Sequence, residues 1–198
     1  MSYAHFSNVS FASPFQPTLQ NQMCKDNEEL DKKYGIVVLP TRRTASEVSF
    51  RPKSVFEFDD EGSCRLKNLI DLVEDEYYFS YCLYSDFTIL WLIDRGGKLI
   101  ISLEETLIDG QSSGSYPLPR FVDRQNPIRE RKLGHPALVG GEGARIGGEL
   151  KYDPMRKDWY LSNASGRYGV NLGRTEEQLE EVAKLFRNRG FRIETDFI

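Results

Sequence analysis

The chain is short of the residues that most often declare a chemistry. In 198 residues it carries three cysteines and two histidines. Cys24, Cys64 and Cys82 are odd in number, and none stands in a CxxC spacing. That spacing argues against a disulfide framework and against a cysteine zinc site, and scattered thiols suit a reducing compartment. Long apolar runs are missing as well. None approaches the ~20 residues that a bilayer-spanning helix needs, so no membrane partner is expected. The first residues lack a basic stretch followed by an apolar core, so no Sec-type leader is expected. The protein is placed in the cytoplasm, or in a target cell reached by a non-Sec route. A basic excess is also absent. The 26 Lys and Arg are outweighed by 30 Asp and Glu, for a net charge of −4, which argues against bulk nucleic-acid binding. Within 120–132, however, Arg120, Arg124, Arg129, Arg131 and Lys132 make a local basic stretch that leaves an anionic partner open.

What is present divides unevenly. Residues 1–34 contain no glycine, are rich in Ser, Asn and Gln, and show no apolar period. They read either as a flexible or loosely docked arm or as an arm that lays Phe6, Phe11 and Phe15 into a groove on a partner or on its own domain. Residues 35–198 read as a single α+β domain built on a mixed or antiparallel sheet with two main helices. Ile36–Leu39 is a strand candidate ended by Pro40, and Ser54–Phe58 another. Leu66, Leu69, Ile70 and Val73 fall at helical spacing within 65–76. The aromatic density of Tyr77–Tyr84 reads as a strand. Phe87–Ile93 and Lys98–Ser102 flank Asp94-Arg95-Gly96-Gly97, a hairpin signal. Residues 104–133 read as a long connection.

Beyond it lie a second hairpin, Gly147–Asp153 with Asp158–Asn163, and a well-marked helix. Thr175 and Gln178 make a capping box, Leu179, Val182, Ala183 and Phe186 make a buried stripe, and Gly190 stops it. The alternation of Phe191–Ile198 predicts a final strand.

Ten of the 16 glycines fall between Gly134 and Gly190. Gly140, Gly141, Gly143, Gly147 and Gly148 lie close together and let backbone approach a ligand or another strand. The spacing fits neither a Walker loop nor a dinucleotide fingerprint, and tight turns and a ligand loop remain alternatives. His135 stands at the head of this stretch. The loop from Ser162 through Asn163, Ser165 and Arg167 to Tyr168 offers many hydrogen-bonding groups. It reads as a turn network with an aromatic plug or as an anion or sugar pocket.

Three segments together carry a resemblance: Gly134-His135-Pro136-Ala137-Leu138, Gly147-Gly148-Glu149-Leu150, and the run from Ser162 to Tyr168. Over 134–190 the chain resembles a C-terminal module of bacterial polymorphic toxins and injected effectors. Gly147 replaces that module's usual Ala, and Arg167 replaces the His of its Ser-Gly-His-Tyr. The order His135, Tyr168, Glu194 is also similar to that of ADP-ribosyltransferases of the His-Tyr-Glu type. That likeness implies a catalytic set: His135 on the nicotinamide ribose, Tyr168 stacked on the nicotinamide, and Glu194 stabilising an oxocarbenium-like transition state. Asp196 on the same strand face is the second carboxylate candidate.

NAD would then be the cofactor, consumed as substrate. Gly140, Gly141, Ser162, Asn163, Ser165 and Arg167 would be its binding residues, with no metal. A cognate antitoxin, a chaperone or a host protein is the partner such a toxin implies. The alternative is a non-enzymatic binding module, which recognises a partner through the N-terminal arm and the 134–168 surface. It predicts an exposed aromatic patch and no converging pocket.

Overall fold

The run Ile89-Leu90-Trp91-Leu92-Ile93 has no polar alternation, so as a strand it must be covered on both faces. All five side chains are buried, and this strand is the centre of the fold. The computed structural model describes residues 16–108, 114–120 and 130–198. Among these the chain is α+β, with six helices and nine strands.

The main sheet has six strands. In spatial order they are β1 (Phe56–Glu57), β3 (Leu99–Leu103), β2 (Ile89–Asp94), β7 (Ala144–Asp153), β8 (Asp158–Ser162) and β9 (Glu194–Asp196). Every pairing is antiparallel except β8 with β9, so the sheet is mixed. A smaller sheet sets β4 (Glu105–Leu107) between β5 (Ser115–Pro117) and β6 (Lys132–Leu133).

One face of the main sheet is covered by α3 (Asp60–Asp75) and α6 (Glu176–Arg187). Leu66, Ile70 and Val73 of α3 and Leu179, Val182 and Phe186 of α6 pack on Trp91, Ile101, Leu150 and Leu161. Asp59 caps α3 by accepting from the Gly62 N–H. The capping box of α6 forms as expected between Thr175 and Gln178. The opposite face is covered by α5 (His135–Leu138) and by Tyr168, which meet Leu90 and Leu92.

Four expectations need amending. Tyr77–Tyr84 is not a strand. It lies in a helix, α4 (Tyr77–Asp86), that follows α3 directly through Glu76. Aromatic residues favour strands, but this segment has no Val, Ile or Thr, whose branching at Cβ disfavours the helix. Ile36–Leu39 pairs only through Val38, in a single bridge to Ala144. The stretch 104–133 contributes β4, β5 and β6, drawn together around the buried Glu105, while 121–129 lies outside the described residues. In the N-terminal part, Gln16–Tyr34 is a helix, α1, whereas Phe6, Phe11 and Phe15 lie outside the described residues.

The C-terminal end of α1 is tied into the domain. Tyr34 is in the main core and Leu30 packs against it. Arg145, buried on β7, pairs with Asp31 and donates to the Gly35 carbonyl at 3.0 Å. Arg174 donates to the Ile36 carbonyl at 2.9 Å. A second short helix, α2 (Ala45–Ser49), is capped by Thr44 and Glu47.

Candidate functional site

His135 opens α5 behind Gly134 and lies against β7. Its ring is buried, and Nε2 is 2.9 Å from the Gly148 carbonyl. A carbonyl only accepts, so Nε2 carries the proton and donates. Burial is the largest influence on the imidazole and holds its pKa below the ordinary value of 6.5, against the opposing pull of Glu104 and Glu149. Tyr168 is 0% exposed, its hydroxyl donates to the Glu142 carbonyl at 2.8 Å, and burial raises its pKa. Stacking on a nicotinamide would require this ring to leave the core. Glu194 is exposed on the edge strand β9, in register with Tyr160, and Asp196 is exposed beside Ser162. His135 and Tyr168 are thus enclosed together on one face of the sheet, while Glu194 stands in solvent at its edge.

The polar loop spends its groups on the protein. Ser162 donates to the Glu149 carbonyl. The Asn163 side chain clasps the last residue from both sides: Nδ2 donates to the Ile198 carbonyl at 3.1 Å, and Oδ1 accepts from the Ile198 N–H at 2.8 Å. Ser165 Oγ accepts from the Tyr168 N–H. Arg167 forms an ion pair of 2.8 Å with the buried Glu47, which joins this loop to α2. Of the two readings of this loop, these contacts describe the turn network with its aromatic plug.

The glycines likewise meet protein. A Cβ on Gly148 would lie 1.7 Å from the Ser162 carbonyl oxygen, and one on Gly169 would lie 2.0 Å from that of Asn163. Gly140 and Gly141 turn the chain after α5 at positive φ, and Arg43 donates to the Gly141 carbonyl at 2.7 Å. Close packing of backbone on backbone accounts for Gly148 and Gly169, and positive φ for Gly140 and Gly141.

Surface cavities are found away from these residues. One of about 560 Å³ sits between β1, the β2–β3 turn and the end of α6, walled by Glu57, Lys98 and Arg189 over Phe58 and Leu185. Its cations are already paired, Lys98 with Glu57 at 2.8 Å and Arg189 with Asp60 at 2.6 Å.

The surface feature that sequence reasoning missed is α4. Ser80 is buried and Leu83 packs on the main core, so this edge is its inner face. On the other side Tyr77, Tyr81 and Tyr84 repeat at i, i+4 and i+7, with Tyr78 beside them. They are 78%, 55%, 48% and 74% exposed, and Phe79 is 49% exposed. A helix apolar all round is ordinarily buried all round, and this one has a face in water. The signal in the sequence was the aromatic density itself, read with the wrong period.

Among the described residues no helix is long and apolar enough to cross a membrane. Compared with known protein families, characterised proteins and solved structures, the chain matches none.

Proposed function

We propose that the protein acts by binding another protein, with the aromatic face of α4 as the docking surface. The observation that carries this reading is the exposure of five aromatic side chains on one ten-residue helix. Contiguous exposed apolar surface on a soluble domain marks an interaction site. Tyrosine suits such a site, because its ring gives contact area while its hydroxyl keeps the free surface wetted. The enclosure of His135 and Tyr168 and the internal bonding of the Ser162–Tyr168 loop support a structural role for 134–168. They turn the search for a binding surface away from it.

Selection of a displayed peptide library on the folded chain tests the reading. Peptides chosen on the wild type are expected to lose binding to Tyr78→Lys and to keep it with Leu39→Lys, a change at a residue that is 64% exposed and lies beside Gly143. Peptides indifferent to Tyr78→Lys would contradict it. So would NAD-dependent ADP-ribose transfer that Glu194→Gln abolishes.

A further inference from the structure

We infer that the partner segment is basic and amphipathic, with arginine or lysine beside apolar side chains. This rests on α4 being the docking face and adds the charge of what it takes.

Glu74, Asp75 and Glu76 stand exposed immediately before Tyr77. Folding does not explain them. Glu74 and Asp75 close α3, whose last turn holds no basic residue, so their charge opposes the negative end of that helix dipole. Glu76 occupies the N-cap of α4 but makes no side-chain capping bond. Glu74 shares a cavity with Arg156, Lys157 and Arg192, so Asp75 and Glu76 are the carboxylates left beside Tyr77 and Tyr78, the most exposed rings among the described residues. Together they can neutralise and stack a cationic chain: carboxylates take the guanidinium or ammonium, and ring faces take the side of the cation.

Size and charge also select among occupants. Five rings exposed to this extent present on the order of 600 Å². That is less than the ~800 Å² per partner of a standard interface between folded domains, and it suits a single segment. A second copy fits poorly. Twofold pairing centred on Tyr77 and Tyr78 would bring two Glu74–Glu76 ends together, like charge against like.

The test uses three synthetic peptides with the same leucine positions and with arginine, glutamine or glutamate at all polar positions. Fluorescence anisotropy reads their binding to the full chain. The arginine peptide is expected to bind about tenfold or more tightly than the glutamine peptide, and the glutamate peptide not at all. Asp75→Lys with Glu76→Lys should reverse that order at unchanged thermal stability.

Equal binding of all three, lost with Tyr78→Ser, would overturn the charge inference and leave the docking face standing. A dimer in sedimentation that Tyr78→Ser dissociates would give the face to a second copy and overturn it. Binding seen only after Arg124→Ser and Arg129→Ser would give the face to the chain's own connector, with the same consequence. No binding by any peptide to a monomeric chain would overturn both readings.

Discussion

Gly148 sets a limit where β7 passes the end of β8. Alanine there would press Cβ to 1.7 Å from a carbonyl oxygen, and backbone cannot rotate away as a side chain can. Gly148→Ala should therefore cost about 3 kcal/mol or more. Gly166 has open space around it and no positive φ, so Gly166→Ala should stay within about 0.5 kcal/mol. Urea denaturation of the two variants reads the contrast, and equal losses would contradict the packing account of the glycines.

His135 gives a pH dependence with a definite sign. Its folded pKa lies below the ordinary 6.5. As pH falls through about 6.5, the unfolded chain takes a proton that the folded chain refuses. Stability is therefore intact above that value and declines below it, by at most ~1.4 kcal/mol per pH unit. Comparing the wild type with His135→Gln by denaturation at about pH 7 and pH 5 isolates this contribution. The variant should lose less stability on acidification, and parallel losses would refute a buried neutral imidazole. Burial of His135 was not legible in the sequence, because Gly134-His135-Pro136 has no period to assign it a face.

At the scale of elements, α4 separates exposure from core. Tyr77→Ser and Tyr78→Ser should shift stability by no more than about 0.5 kcal/mol, since both rings stand in solvent. Leu83→Ala, on the inner face, should cost about 1–2 kcal/mol. A large loss from the tyrosine changes would mean that the face already has a cover within the chain. Thermal melts of the three variants decide it.

Elements with redundant local signals were readable in the sequence. α6 announced itself by Thr175, Gln178, its apolar stripe and Gly190, and the β2–β3 hairpin by its glycine turn between apolar runs. α4 gave density without period, since apolar residues surround it and only tertiary contacts choose the inner side. β4, β5 and β6 gave almost nothing. Strands of two or three residues have no periodicity, and they are gathered by Glu105. Its carboxylate accepts from the Lys53 and Ser54 N–H groups, each at 2.9 Å, and from the Ser115 hydroxyl. Burial alone would raise that carboxyl, yet these bonds hold its pKa below the ordinary value.

At the scale of the whole molecule, a central strand covered on both faces makes a scaffold with little room for an interior site. The α+β class followed from the order of hairpins and helices, which left a mixed or an antiparallel sheet open until the parallel pairing of β8 with β9 made it mixed. What pairs residues distant in the chain did not, as with Arg167 and Glu47 or Asn163 and Ile198. The junction of α1 with the domain is of that kind. Arg145 is 1% exposed and holds Asp31 and the Gly35 carbonyl. Arg145→Ala unpairs the Gly35 and Arg95 carbonyls and should cost about 1–3 kcal/mol and raise hydrogen exchange along α1, whereas unchanged exchange there would mean that the helix docks without it. The glycine and polar residues at 134–168 pack and bond within the scaffold, and the proposed docking face is on the helix pair across the sheet from them.

The location of the docking face is read most directly by an amide NMR titration of the ¹⁵N-labelled chain with the arginine peptide. Shift changes are expected only at Glu74–Asp86 and their immediate contacts. Changes centred on Gly134–Tyr168 and Glu194, with α4 unmoved, would contradict it.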